Sequence, residues 1–159
     1  RISGPVSQID LVPTLLDLMG QDVPDTLHGS SLKPVLGGGD TRVERDVFLQ
    51  WNTRLARNPD APAPSIPEWA REALGATGED IEKAQRQQTR SIVTPDGWRF
   101  SFQPELHDHE LFDLTHDPLE TNNLAGDPAR QTRMNELLSR IRAWQETVDD
   151  DVPLPASVS

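Results

Sequence analysis

The stretch that decides the fold reads Glu110-Leu-Phe-Asp-Leu-Thr-His-Asp-Pro-Leu-Glu-Thr-Asn-Asn-Leu124. Its first five residues predict a short strand. Asp113 and Asp117 then stand where their carboxylates can accept backbone N–H groups in successive turns, and Pro118 presets φ for such a turn. We expect Leu124 to pack beneath the helix that follows. Residues 113–124, which we name the clasp segment, are therefore interpreted as structural, with a direct substrate role as the alternative.

A hairpin precedes the clasp segment, and a long helix follows it. Residues 90–94 and 98–102 flank Pro95-Asp96-Gly97, whose proline and glycine favour a tight turn. Asp127-Pro128 is typical of a helix start, and the pattern predicts a helix over about residues 128–148. Its apolar residues recur at spacings of three and four, so one face should pack on the strands. These residues are Met134, Leu137, Leu138, Ile141, Trp144 and Val148.

A strongly apolar helix is predicted near the start of the chain, at about residues 10–19. The sequence there is Ser7-Gln-Ile-Asp-Leu-Val-Pro-Thr-Leu-Leu-Asp-Leu-Met-Gly20, with Asp10 as the expected N-cap and Gly20 as the stop. Its apolar side chains cover most of the circumference, so we expect the helix to be buried on more than one side. Gly29-Ser-Ser-Leu-Lys-Pro-Val-Leu36 follows it.

A strand and a long insertion lie between these two regions. Asp46 to Trp51 is rich in β-forming residues and predicts a short buried strand. The insertion, residues 52–89, begins with a proline-rich loop, and helices are predicted over about residues 67–74 and 80–89. An insertion of this size is usually functional or mobile. A lid over the cleft and an oligomer contact are the two alternative roles for it.

The composition excludes several classes of function. The 159 residues include 15 basic and 26 acidic side chains, a net charge of −11, which argues against nucleic acid and anionic membranes as partners. The absence of cysteine excludes disulfides and a cysteine nucleophile within the chain. No apolar run approaches the roughly 20 residues that cross a bilayer, so we expect a soluble chain. Because the sequence opens on Arg1 without an initiator Met, we also expect a piece of a longer protein.

The two motifs resemble signatures of one family, the sulfatases of the alkaline-phosphatase superfamily. The sequence from Ser7 to Leu36 is similar to their "D-x-x-P-T-L-L-D-L-x-G … G-x-S-L-x-P-x-L" passage. The sequence from Glu110 to Leu124 resembles "E-L-Y-D-L-x-x-D-P-x-E-x-x-N-L", and Gly97-Trp98-Arg99 is similar to the "G-W-K" of the preceding hairpin. Only the insertion lies outside this resemblance.

The resemblance implies an α/β protein, α+β as an isolated piece, of which this chain is the C-terminal region. Residues 1–40 would end the large catalytic domain and contribute its buried helix. Residues 41–159 would form the C-terminal subdomain, a small antiparallel sheet packed on a long C-terminal helix. The missing N-terminal catalytic domain would be the main partner, and a sulfated small molecule or sugar the substrate.

The resemblance also implies where the chemistry resides. In sulfatases a formylglycine nucleophile and a divalent cation, usually calcium, act in the preceding domain. No catalytic residue and no metal ligand is therefore assigned to this chain, which we expect to form one wall of the substrate cleft and to be inactive alone. The same subdomain of a phosphonate or phosphate ester hydrolase is one alternative. A non-enzymatic binding or structural module is another, and the insertion offers a site for homo-oligomer contact.

Trp51, Asn52 and Arg54 are the candidate substrate-binding residues. In the family the loop at this point often projects toward the cleft, and the three residues offer an aromatic face, an amide and a guanidinium. Arginine can hold a sulfate group through two N–H donors. Packing is the alternative role for Trp51, and a solvated surface position is the alternative for Arg54 and Arg57.

The histidines near residue 109 are the only candidates for a metal site. His107 and His109 would share one face of a strand and, with Asp108 or His116, could hold zinc or copper. The segment is acidic and lies at a hairpin edge, where such residues are commonly solvated, so we predict no metal site.

Overall fold

The computed structural model describes residues 3–38, 41–53, 58, 60 and 65–158. In chain order the helices are α1 (Leu11–Leu18), α2 (Lys33–Leu36), α3 (Glu68–Leu74), α4 (Gly78–Arg86) and α5 (Gln131–Thr147). The strands are β1 (Val47–Asn52), β2 (Gln88–Val93), β3 (Trp98–Phe102) and β4 (Glu110–Asp113). Short 3-10 turns at Gln8–Asp10 and Pro128–Arg130 lead into α1 and α5.

The four strands form one antiparallel sheet in the order β1-β2-β3-β4. Ile92 of β2 lies opposite Phe100 of β3, and Phe100 lies opposite Leu111 of β4, so the three side chains share one face. The predicted hairpin turn is present, with Gly97 at a φ of +87° that favours glycine. The predicted small antiparallel sheet is therefore confirmed.

Helix α5 packs on this face of the sheet and completes the core. The helical segment begins where it was predicted to, because Asp127 Oδ1 accepts a hydrogen bond from the N–H of Ala129 at 2.9 Å and caps the 3-10 turn that leads into α5. Its predicted apolar stripe is the buried face, and Phe48 of β1 stacks on Trp144 with ring centroids 5.0 Å apart. The buried cluster consists of Ile92, Phe100, Phe102, Leu111, Met134, Leu137, Leu138, Ile141 and Val158.

The prediction that the strand at Asp46 to Trp51 is buried was wrong. The strand exists, but β1 stands at the edge of the sheet and only Val47 at its start is buried. Leu49 is 50% exposed and Trp51 69% exposed. Both side chains point to the face of the sheet opposite α5, because successive residues of a strand alternate between faces.

The first helix forms as predicted, but its apolar surface is open in this chain. Leu11, Val12, Leu15 and Leu18 are each about half exposed, whereas Pro13 and Thr14 are buried. The expected burial on several sides therefore requires a further protein surface and stays a prediction.

Both predicted helices of the insertion are present, but the one expected over residues 80–89 ends at Arg86, and residues 88 and 89 belong to β2. Helix α4 begins at Gly78, earlier than the expected residue 80, because Thr77 caps it: Thr77 Oγ1 accepts from the N–H of Asp80, and the Asp80 carboxylate accepts from the N–H of Thr77. Residues 59 and 61–64 of the proline-rich loop lie outside the described residues. In the part of the chain that the structure describes, no helix has both the length and the apolar character needed to cross a membrane.

Candidate functional site

The N-terminal motif is organised around a buried carboxylate. Asp10 is fully buried and accepts hydrogen bonds from the backbone N–H groups of Ser7 (2.9 Å) and Ser30 (3.0 Å) and from the guanidinium of Arg45. Burial raises the pKa of Asp10, but the bonds from Ser30, Ser7 and Arg45 outweigh it and hold the pKa below its ordinary value. The predicted N-cap role of Asp10 was wrong, because its carboxylate bonds to no backbone N–H of α1 and accepts instead from Ser7, which precedes the 3-10 turn. Its partner Arg45 lies 35 positions away and has no local sequence signal.

The two halves of this motif are joined by further contacts. Thr14 Oγ1 donates to the carbonyl of Asp10 at 2.6 Å and accepts from the N–H of Leu32 at 2.9 Å. Gly29 passes so close to Ile9 that an added Cβ would stand 2.0 Å from the Ile9 carbonyl oxygen. The motif residues are thus engaged with one another and form a structural unit.

The clasp segment uses its polar side chains in the same way. Asp113 Oδ1 accepts from the N–H of Thr115 at 3.1 Å, and Asp117 Oδ2 accepts from the N–H of Asn122 at 2.9 Å, as predicted. The bonds from Asn122 and Thr121 hold the pKa of Asp117 below its ordinary value. The clasp carboxylates therefore hold their own loop, which is the structural interpretation.

Asn123 is the residue of the clasp segment that sequence reasoning missed. Its Oδ1 accepts from the N–H of Leu111 at 2.9 Å, and its Nδ2 donates to the carbonyl of His109 at 3.0 Å. Leu124 adds a backbone bond from its N–H to the Leu111 carbonyl at 2.8 Å and packs against the core as predicted. Asn123 thus satisfies backbone groups along the free edge of β4.

Of the candidate substrate-binding residues, the structure describes Trp51 and Asn52, and their side chains lie on opposite faces of the sheet. The ring of Trp51 is exposed on the face of the sheet away from α5. Asn52 faces the other way, and its Oδ1 accepts from Arg90 Nη1 at 2.8 Å. Arg54 and Arg57 lie outside the described residues. Trp51 therefore offers a free aromatic surface, whereas the Asn52 amide oxygen holds Arg90 in place.

Arg90 belongs to a buried ion pair that the sequence did not reveal. Its Nε and Nη2 donate to the two oxygens of Asp150 at 2.6 and 2.7 Å, and the side chains are 1% and 5% exposed. Gln145 Nε2 donates to Asp150 Oδ2 at 2.8 Å. Arg90 holds the pKa of Asp150 below its ordinary value against the effect of burial. The pair ties β2 to the segment that follows α5.

The histidines do not assemble a metal site. His109 Nδ1 accepts from the N–H of Gln103 at 3.1 Å, and the His109 ring stacks on Phe102. The ring centroids of His107 and His109 are 6.4 Å apart. The His116 ring forms a hydrogen bond with the Asp113 carboxylate instead. Among the described residues, no group of three or more His, Asp or Glu side chains could hold a metal ion.

Concave surfaces border the N-terminal motif and the insertion. A cavity of about 490 Å³ lies where the N-terminal motif meets β1 and the end of α5, and Ser7, Phe48 and Trp144 are among the residues that line it. We name it the β1–α5 cavity. Helices α3 and α4 border a more apolar groove of about 830 Å³, to which Leu106 also contributes. The role of the insertion as a lid or oligomer contact stays a prediction.

Comparison with known proteins supports the resemblance. No protein-family model matches the chain. A curated relative, the N-acetylglucosamine-6-O-sulfatase of Bacteroides thetaiotaomicron, is 26% identical over 145 residues, which cover 91% of this chain and 22% of that protein. The solved structure of a 2-O GAG sulfatase matches with a TM-score of 0.63 and 26% identity, over 89% of this chain and 25% of the other.

A further neighbour belongs to the wider superfamily. The phosphonate monoester hydrolase of Agrobacterium radiobacter matches with a TM-score of 0.51 and 25% identity, over 85% of this chain and 24% of the other. The chain therefore spans about a quarter of the length of these proteins. Its curated relatives include several sulfatases, and its structural neighbours are sulfatases and other members of the alkaline-phosphatase superfamily, which confirms the resemblance predicted from the motifs. The predicted fold class is likewise confirmed.

Proposed function

We propose that this chain is the C-terminal part of a metal-dependent hydrolase of sulfuric esters, in which it stabilises the catalytic domain and forms one wall of the substrate cleft. The observation that carries the proposal is the match to a sulfatase over nine-tenths of the chain, with both motifs folded into tightly bonded units. The exposed apolar surface of α1 supports the docking role, because such a surface is stabilised when another domain covers it.

The reactive groups of the proposed enzyme belong to another part of the protein. A formylglycine is made from Cys or Ser in a specific motif, and this chain contains neither a cysteine nor that motif. The described residues also do not fit a calcium ion, since they bring no three acidic or histidine side chains together. No catalytic step is therefore derived from residues of this chain.

Within this proposal, Trp51 contacts the substrate, and Arg54 supplies a guanidinium for a sulfate group. The exposed ring of Trp51 supports its role, because aromatic rings pack against the C–H faces of sugars. Asn52 acts indirectly: its Oδ1 accepts a hydrogen bond from Arg90, which fixes the end of β1. The substrate class is a sulfated sugar, which the name of the N-acetylglucosamine-6-O-sulfatase relative supports.

The activity is tested on the protein that carries this chain together with its catalytic domain. We expect hydrolysis of N-acetylglucosamine 6-sulfate and of 4-nitrophenyl sulfate, loss of both after chelation of divalent cations, and no turnover by the 159-residue chain alone. Turnover of phosphonate or phosphate monoesters without any sulfate ester would instead support the second candidate, which the phosphonate hydrolase neighbour favours. No turnover of any ester would favour a binding or structural module.

The role of Trp51 is tested by substitution in the same protein. Trp51→Ala should raise KM for the sulfated sugar about tenfold while leaving the small aryl sulfate unaffected, because only the sugar reaches the ring. Trp69→Ala is the matched control, since Trp69 is 72% exposed on α3. Equal effects of the two substitutions, or no effect of Trp51→Ala, would contradict the assignment.

A further inference from the structure

The β1–α5 cavity has the size of a small-molecule site and no role in the function proposed above. His28 lines it from the N-terminal motif, Phe48 and Gln50 line it from β1, and Trp144 lines it from α5. Its volume of about 490 Å³ falls within the range of ligand pockets. Three separate segments therefore meet at the cavity.

The charged groups at the cavity are already compensated. Arg45 is paired with the buried Asp10, and Asp46 is paired with Arg140, whose Nε donates to Asp46 Oδ2 at 2.8 Å. Neither Arg45 nor Asp46 is therefore left as an unbalanced charge for an ionic ligand. A charged ligand would lose its hydration without a free counter-charge in return, so the cavity favours a neutral one.

The remaining lining combines two partly exposed aromatic side chains, Phe48 and Trp144, with unused hydrogen-bonding groups. The rings of Phe48 and Trp144 are nearly parallel, with an interplanar angle of 5°, and each restricts the movement of the other. The side chains of Gln50 and His28 make no hydrogen bond within the described residues. Together they offer both donors and acceptors beside an aromatic surface.

A pyranose ring has the complementary chemistry. One face of the ring presents C–H groups to an aromatic side chain, and its hydroxyl groups donate and accept hydrogen bonds around the rim. We propose that the β1–α5 cavity is a saccharide-binding site that takes an uncharged pyranose unit. The site goes beyond the proposed hydrolysis, because it requires neither a sulfate group nor the catalytic domain, and its binding is measured without turnover.

The experiment titrates the 159-residue chain with neutral disaccharides and follows the indole N–H signals of its four tryptophans by NMR. The probes are cellobiose, lactose and N,N′-diacetylchitobiose at millimolar concentrations, and Trp→Phe variants assign the signals. We expect at least one probe to shift the Trp144 signal while the signal of Trp69, which is exposed and lies outside the cavity, stays in place. A Trp144 signal that stays in place with every probe would overturn the proposal, whatever happens at Trp51, which the proposed function already places in contact with sugar.

Two variants and a control test which groups hold the sugar. Gln50→Ala and His28→Ala should each weaken binding about threefold to tenfold, the loss expected for one hydrogen bond. Gln21→Ala is the matched control, because Gln21 is exposed and lies outside the cavity. Unchanged affinity of both cavity variants would refute the assignment, as would tenfold tighter binding of a sulfated form of the same disaccharide.

Discussion

At the scale of single residues, the stability of the chain depends on a few polar groups that are buried away from water. The Arg90–Asp150 pair is almost completely buried, and it is satisfied on both sides by Asn52 and Gln145. A buried pair of this kind need not be more stable than an apolar replacement. Removal of one partner is a different matter, because the other charge then stays buried without compensation.

Asp150→Asn should therefore lower the free energy of unfolding by about 3 kcal/mol or more. The matched control is Asp151→Asn, which removes the same charge from an exposed neighbouring position and should cost less than about 0.5 kcal/mol. Urea unfolding of the two variants measures the difference. Similar losses for both would mean that the Arg90 charge is compensated in another way.

A second prediction at this scale concerns the stability cost of replacing Gly29. A Cβ at this position would stand 2.0 Å from the Ile9 carbonyl oxygen, so Gly29→Ala must move Ser30 away from Asp10 and should cost about 2 kcal/mol. Gly78→Ala in α4 is the control, because nothing lies within 4 Å of its added Cβ. That change should be neutral or stabilise the chain by up to about 1 kcal/mol. Thermal unfolding measures the melting temperatures of both variants. Equal changes in the two melting temperatures would contradict the prediction.

At the scale of elements, the sequence predicts what local patterns determine and misses what depends on distant partners. The stripe of α5 and the turn at Gly97 follow from spacing and residue type, and both are found in place. The position of β1 at the sheet edge depends on strand order, which its own residues do not encode, so the expected burial of Trp51 fails. Arg90 and Asp150 are 60 positions apart, and no spacing rule links them.

The loop between β3 and β4 should respond to pH through His109. Burial is the main cause that lowers the pKa of His109 below its ordinary value of 6.5, with His107 adding to it and Asp108 opposing it. The unfolded chain therefore binds this proton more readily than the folded chain does. The contribution of neutral His109 is fully present above about pH 6.5 and is lost as the pH falls through the lower pKa of the folded state.

His109→Asn should remove this pH dependence. The Asn side chain keeps an acceptor for the Gln103 N–H, which now bonds to Nδ1, but it does not titrate. The melting temperature of the unmodified chain should fall between about pH 7 and 5, and that of the variant should fall less. His28→Asn, at an exposed histidine, serves as the control and should leave the fall intact. An unchanged pH dependence in His109→Asn would show that other groups cause it.

At the scale of the whole molecule, two regions differ in how completely they are covered. The sheet and α5 enclose a core in which Leu137, Leu138 and Ile141 have no exposed surface. Helix α1 instead presents an open apolar surface, and its region is held to the rest through polar contacts such as Asp10–Arg45. The stability of the chain on its own should therefore come from the sheet and α5, whereas α1 becomes buried only when the proposed catalytic domain covers it.

A pair of substitutions separates these two regions. Leu138→Asp places a charge in the core and should cost more than about 4 kcal/mol, enough to unfold the sheet and α5 together. Leu18→Asp makes the same chemical change on α1, where the side chain is 53% exposed, and should alter stability of the isolated chain by less than about 0.5 kcal/mol. In the protein that includes the catalytic domain, however, Leu18→Asp should become strongly destabilising, because the surface is then covered. Urea unfolding of both variants, alone and in that protein, measures the contrast. If Leu18→Asp were harmless in both settings, α1 would not be the docking surface.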